Sequence, residues 1–238
     1  MDPRIDKIVE GLKDFFEKAG FKKAVLGLSG GVDSALVAKL AVMAFGKENV
    51  TALIMPMEGI SLPNSLPDAK AWAEELGINY QVIALRNYVE RYKKLPWNET
   101  ELAHINLQAR LRMTVLYHFA NSHKALVLGT GNKTEAKLGY FTKYGDGAVD
   151  IAPIGNLYKT DVWKLAKELG LPEHIINKKA SAELKVGQTD EGEIGMNYAE
   201  IDAALRKFES GGLAETENEK KLQARIEANK HKRELPRL

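Results

Sequence analysis

The stretch LGLSGGVDSALV, Leu26 to Val37, places glycines, hydroxyls and a carboxylate in one turn between an apolar run and a helix-like run. A strand that ends in such a turn and then enters a helix makes an anion site. The first N–H groups of a helix have no intrahelical partner, and the macrodipole favours negative charge there. Gly30 and Gly31 let the main chain approach ligand oxygens closely. Ser29 and Ser34 add hydroxyl donors. Asp33 alone would repel phosphate, so its presence points to a bridging Mg²⁺. The chemistry read from these residues is a cradle for polyphosphate and a metal.

Two other readings of the same residues stay open on pattern alone. Gly27-Leu28-Ser29-Gly30-Gly31 also satisfies G-x-S-x-G, the nucleophile elbow of serine hydrolases, with His174 or His231 as a later base. That reading leaves Asp33 and Ser34 without a role, and the chain has no HGGG-type oxyanion loop. The third reading is an ordinary tight turn with an Asp cap. The Walker pattern is absent, and GTGNKT falls short of G-x-G-x-x-G because its last position is Thr134. A second carboxylate, Glu135, follows another apolar run, KALVLGT, and would reach the same edge of a sheet.

The elements that must position these groups are legible as periodicity. Residues 3–19 carry an apolar face at period 3.6, with Asp2 as cap, Pro3 in the first helical position and Gly20 as stop. KKAVLGLS, VTALIMPM, YQVIAL and KALVLGT read as strands. Helical sequence lies between them, including a long stretch over residues 99–122. The strands are continuously apolar, which predicts a doubly wound α/β fold: a mostly parallel sheet with helices on both faces. In such sheets ligands bind beyond the carboxyl ends of the strands, where both the SGGVDS and GTGNKTE turns lie. Beyond residue 150, TDVWKLAKELG and NYAEIDAALRKFES read as helices. Residues 178–195, poor in apolar groups, read as a mobile loop and a candidate lid. The tail from Glu217 reads as a polar helix. No linker is visible, so residues 1–238 are expected to form one domain.

Composition narrows the classes. Lys plus Arg number 34 and Asp plus Glu 32, a net charge of +2, which argues against a dedicated nucleic-acid binder. The absence of cysteine excludes a disulfide scaffold, a zinc–thiolate site and a Cys nucleophile. No apolar run is long enough to span a bilayer, and the N-terminus lacks the features of a signal peptide, so a cytoplasmic protein is expected. His104, His118, His123 and His174 show no metal-ligand spacing.

SGGVDS resembles the pyrophosphate-binding signature of the N-type ATP pyrophosphatases, which have the adenine nucleotide alpha hydrolase-like fold. GMP synthetase, argininosuccinate synthetase, asparagine synthetase and tRNA-modifying enzymes share it. NLQARLRM, LGTGNKTEAKLGYFTKYGDGAVDIAPIGNLYKTDVWKLAKELGLP, GQTDEGEIG and the terminal HKR together resemble NAD synthetase over nearly the whole chain, with no family signature in residues 58–67. The resemblance implies amidation of deamido-NAD with ATP and ammonia, by way of an adenylated nicotinate carboxylate, releasing AMP and pyrophosphate. Glutamine-dependent members carry an N-terminal amidase domain with a Cys nucleophile. Only one short helix precedes the first strand here, so no glutaminase domain is expected and ammonia is the nitrogen source.

By the same resemblance, Gly27, Leu28, Ser29, Gly30, Gly31, Val32, Asp33 and Ser34 would wrap the ATP phosphates, with Thr130, Lys159 and Ser181 as further ATP contacts. Asp33 and Glu135 would hold Mg²⁺. Lys159 would act at the α-phosphate, where charge is redistributed during transfer. Arg110, Lys143, Asp150, His231 and Lys232 would contact deamido-NAD. Each has a plainer reading: a surface Arg on an amphipathic helix, a solvated loop, an exposed Lys beside the capping residue Thr160, a solvated KHKR charge run. Members of the family are homodimers with substrate sites near the interface, so a C2 dimer is expected, and the apolar surface of the long helix suits an interface.

Overall fold

In the computed structural model, residues 1–57, 59–185 and 187–234 are described. Glu58, Val186 and residues 235–238 lie outside them, and with them one position each of the 58–67 stretch and the 178–195 loop, and the end of the tail.

The sheet has four parallel strands in the order β3-β2-β1-β4: β1 (Lys23–Gly27), β2 (Val50–Ile54), β3 (Asn79–Val82) and β4 (Ala125–Leu128). The order reverses between β1 and β4, so the crevice beyond their carboxyl ends is the switch point at which doubly wound sheets bind ligands. Successive residues of a strand face opposite sides, and here both sides are apolar. Ala24 and Leu26 of β1 join one core with Ala52 and Ile54 of β2, while Val25 and Leu53 join a second core on the other face. The continuous apolar runs follow from that double burial.

The first core is covered by α1 (Pro3–Ala19), α2 (Val32–Phe45), α3 (Ser65–Leu76) and α7 (Lys159–Glu168). The second is covered by α4 (Arg86–Tyr92) and α5 (Glu101–His123). The signals at α1 act as read. The Asp2 carboxylate accepts from Arg4 N, Pro3 opens the helix, and Gly20 closes it at φ +74°.

Three readings are corrected. The third strand ends at Val82 rather than Leu85, because Leu85 turns inward, fully buried, to begin α4, a helix the periodicity did not reveal. It is also an edge strand with mostly exposed side chains, unlike the others. Thr160 does not cap α7, which begins one residue earlier, at Lys159, with Tyr158 in the cap position.

The outer edge of β4 is closed by a short segment. Asp150 N donates to Val127 O at 3.0 Å, Val127 N donates to the Asp150 carboxylate at 2.7 Å, and Gly129 N donates to Ile151 O at 2.8 Å. The remaining helices, α6 (Lys133–Leu138), α8 (Glu173–Ile176), α9 (Asp190–Ile194), α10 (Tyr198–Glu209), α11 (Glu217–Ala228) and α12 (Lys230–Arg233), complete the described residues. α6, α10 and α11 meet in a third apolar cluster around Leu138, Ile201, Leu205 and Leu222. Among the described residues no helix is long and apolar enough to cross a membrane.

Candidate active site

The turn after β1 is held by its own serines. Ser29 N donates to Ser34 Oγ at 3.1 Å, the two hydroxyls lie 3.0 Å apart, and Gly31 N donates to Ser29 Oγ at 3.2 Å. Gly30 is the position that must be glycine. Its φ is +80°, and a Cβ there would lie 2.4 Å from the carbonyl oxygen of Ser65. Gly31 has an ordinary φ of −94° and room for a methyl group, so its small size serves access rather than geometry. The serine-hydrolase reading finds no base. Ser29 Oγ is engaged by Ser34 and Gly31, while the His174 ring lies 3.5 Å from Asp68 and His231 Nδ1 lies 3.1 Å from Ala228 O.

The turn opens into a cavity of about 630 Å³ at the switch point. Gly27, Leu28, Ser29, Gly31, Val32, Asp33, Ser34, Thr130, Glu135, Lys159, Ser181 and Lys232 line it. Gly30 lies behind the wall. Arg110, Lys143, Asp150 and His231 are not among the lining residues.

Asp33 lies in the first turn of α2, and its carboxylate holds two partners. Asn132 Nδ2 donates to Oδ1 at 2.9 Å, and the Lys159 ammonium is ion-paired with Oδ2. Asn132 is fully buried and acts twice, because its Oδ1 accepts from Glu135 N at 3.0 Å while Asn132 N donates to Glu135 Oε2 at 3.0 Å. This is a capping box at the start of α6. One side chain therefore ties the carboxylate after β1 to the helix that carries the carboxylate after β4. Removal from water, and then the nearby Asp33 charge, push the Glu135 carboxyl above the usual carboxylate range, against the pull of Lys159, and a cation bound between the two carboxyls would favour its ionised form. Lys159 is 2% exposed. Burial alone would lower its pKa, but Asp33 and Glu135 outweigh that and raise it, so the ammonium stays charged. The plain reading of Lys159 as an exposed surface lysine is overturned.

Two carboxyl groups and a cationic lysine lining one cavity suit Mg²⁺, which favours one or two carboxylates plus phosphate oxygens over an all-protein cage.

Several site residues were not read from the sequence. Arg112, not Arg110, reaches the cavity from α5, and its Nε donates to Met55 O at 3.2 Å beyond the end of β2. Residues two apart on a helix face different ways. Arg110 instead points to an outer face and donates to Lys143 O at 3.3 and 3.4 Å. On that same side Tyr117 OH donates to Asp150 at 3.2 Å. Lys143 Nζ donates to His231 O at 2.6 Å, and Lys232 Nζ donates to Gly139 O and Phe141 O at 2.7 and 3.0 Å. The KHKR segment is thus docked on the loop after α6.

Residues 178–185, with Gln188, Asp190 and Glu193, form a strap along the cavity wall. Lys178 is ion-paired with Asp68 and donates to Gly30 O at 2.9 Å. Glu183, with φ +50°, accepts from the Ser65 hydroxyl and from Leu62 N at 3.2 Å. Asp190, 3% exposed and raised in pKa chiefly by burial, accepts from Tyr198 OH at 2.8 Å and also lines the cavity. Residues 178–185 form no helix or strand, and the strap ends in α9, with contacts at both ends.

A parallel sheet with a glycine turn, paired carboxylates and a buried lysine at its switch point defines a nucleotide-handling α/β protein. The chain belongs to the NAD synthase family, whose model matches residues 4–236. It is 47% identical over 235 residues to the NH(3)-dependent NAD(+) synthetase of Archaeoglobus fulgidus, covering 97% of this chain and 95% of that one. Its fold matches the NMN synthetase of Francisella tularensis with a TM-score of 0.91 and 37% identity, covering 99% of this chain and 97% of that one. The NH3-dependent NAD synthetase of Campylobacter jejuni matches with a TM-score of 0.85 and 34% identity, covering 100% and 99%.

Proposed function

We propose that this protein is an ammonia-dependent NAD synthetase, which amidates the nicotinate carboxylate of deamido-NAD at the expense of ATP. The observation that carries the reading is the convergence of Asp33, Glu135 and Lys159 on one cavity beside the glycine turn. Family membership and relatives named for NAD synthesis support the substrate. The use of ammonia is supported by those relatives' names.

A carboxylate does not react with ammonia near neutral pH, because oxide would have to leave. In the first step a carboxylate oxygen of the substrate bonds to the α-phosphorus of ATP. The bond from that phosphorus to the α,β-bridging oxygen breaks, and pyrophosphate departs with the electron pair. In the second step ammonia adds to the acyl carbonyl, loses a proton, and AMP leaves. Asp33 and Glu135 would hold Mg²⁺, which when bound screens phosphate charge. The turn from Ser29 to Ser34 orients the phosphates through main-chain N–H groups. Lys159 carries positive charge to the α-phosphate, exchanging its Asp33 partner for phosphate oxygens. Thr130 and Ser181 contact the nucleotide from the cavity wall. The strap from Lys178 excludes water from the acyl adenylate.

Arg110, Lys143, Asp150, His231 and Lys232 would hold the dinucleotide acid. Arg110 and Lys143 lie on an outer face, which suits a ligand shared between two copies in a homodimer. Residues 1–238 would act as one cytoplasmic unit with no nucleic-acid or membrane partner.

The likeness to an NMN synthetase favours one second reading, in which nicotinate mononucleotide is the acceptor. The chemistry is identical, and the acceptor decides. Purified protein with ATP, Mg²⁺ and ammonium should form amide and AMP from deamido-NAD, with glutamine a poor substitute for ammonium. Preference for the mononucleotide would move the assignment to the second reading. Release of ADP and orthophosphate in place of AMP would overturn both.

A further inference from the structure

We infer that Asp202, a residue of α10 outside the cavity lining, is the positioning residue that fixes Lys159 relative to Glu135. This rests on the ATP-dependent reading above. Asp202 is 2% exposed. Its Oδ1 accepts from Thr134 Oγ1 at 2.5 Å, and its Oδ2 accepts from Thr160 N and Thr160 Oγ1, each at 2.8 Å. Thr134 immediately precedes Glu135, and Thr160 immediately follows Lys159. Thr134 Oγ1 also accepts from Lys159 N at 2.9 Å. One carboxylate, supplied by a third element, thus binds the first turns of α6 and α7 together.

The first N–H groups of a helix need outside acceptors, and an anion there complements the macrodipole. Hydrogen bonds to an ionised acceptor are short and stiff. Asp202 therefore makes the starts of α6 and α7 one rigid unit, with the metal-side carboxylate on one and the lysine on the other. The backbone at Lys159 stays fixed while its four-carbon stem carries the ammonium from Asp33 to an incoming phosphate. A merely adhesive role does not need a buried charge. α10 already packs on α6 through Ile201, Leu205 and Leu138, and a carboxylate among those side chains carries a desolvation cost.

Asp202→Asn keeps the shape but turns one acceptor into a donor facing a hydroxyl or an N–H. It should lower kcat about 100-fold, the scale of a misplaced catalytic group, with KM for ATP little changed. Thr134→Ser, which retains the hydroxyl, should keep the wild-type kcat, whereas the near-isosteric Thr134→Val should lose it. A folded Asp202→Asn protein with lower Tm but wild-type kcat would overturn the assignment, and so would full activity in Thr134→Val. The Thr134 pair decides the matter if Asp202→Asn does not fold. Should the wild type form no AMP with either acceptor, the activity reading falls, and amide hydrogen exchange still tests the positioning. Asp202→Asn should then speed exchange at Lys159 and Thr160 while α10 stays protected; unchanged exchange at those two amides would overturn it.

Discussion

The ammonium of Lys159 rests on the carboxylate of Asp33, two groups 126 residues apart in sequence and joined at the floor of one cavity. With ATP and metal present, Asp33 would turn to the metal and Lys159 to phosphate. Asp33→Asn and Glu135→Gln should each reduce turnover by orders of magnitude with circular dichroism unchanged, because metal binding is lost and the fold is not. Lys159→Met should cost roughly 10²–10³ in kcat, the scale of removing one preorganised charge-stabilising donor. Near-normal pyrophosphate release from any of these proteins would remove that residue from the site.

Asn132 is the joint between the two carboxylates. Asn132→Ala removes a helix cap, about 1 kcal/mol, and also the donor to Asp33. The expected result is a lower Tm together with weaker metal dependence, read as a higher Mg²⁺ concentration at half-maximal rate. A change in Tm alone would restrict Asn132 to capping.

The two glycines of the turn should separate cleanly. Gly30→Ala meets a positive φ and a carbonyl oxygen 2.4 Å from its Cβ, so it should displace the turn from Ser65 and weaken ATP binding. Gly31→Ala, whose nearest neighbour would be Ser29 Oγ at 3.4 Å, should fold normally. Equal effects at both positions on Tm would contradict this geometry.

The strap along the cavity should be protease-sensitive in proportion to its fastening. ATP with deamido-NAD should slow cleavage between Lys178 and Gly195. Glu183→Ala, which frees the Ser65 hydroxyl and Leu62 N, should hasten cleavage without ligand. Identical digestion patterns in all three samples would mean that the strap does not open.

Glu209 supplies a pH signature. Hydrogen bonds from the Lys133 ammonium and Tyr158 OH, and the nearby charge of Lys137, hold its carboxyl down at about 2, below the ordinary 4.5. A depressed folded-state pKa stabilises above the unfolded value and loses that contribution as pH falls through the folded one. The Tm gap between the parent and Glu209→Gln should therefore be full above about 4.5 and close as the pH falls toward about 2. A gap that stays constant over that range would show that the ionised form of Glu209 contributes nothing to stability.

Much of this architecture was legible in the chain. The apolar runs of β1, β2 and β4 carry no alternation because both of their faces are buried, and the caps of α1 lie next to the residues they cap. Asp33 and Glu135 were legible because each follows such a run at the same sheet edge. What failed to show depends on contacts distant in sequence. Nothing local distinguishes Lys159 from a surface lysine; its burial comes from Asp33, Trp163 and Tyr198 around it. Asn132 and Asp202 look like ordinary polar residues until their partners are in place. Arg110 and Arg112 could not be told apart in role, because the face of α5 that meets the cavity is set by the whole sheet. Asp150 gives no hint in sequence that its side chain completes a strand edge.

That edge has a consequence for assembly. Because Asp150 and Ile151 already engage main-chain groups of Val127 and Gly129, a strand from another molecule could not pair along the end of β4 nearest the site. Copies that meet on this flank must recognise one another through side chains on α5 and the adjoining loops. Such a contact is specified residue by residue, whereas a continued sheet would accept almost any extended peptide.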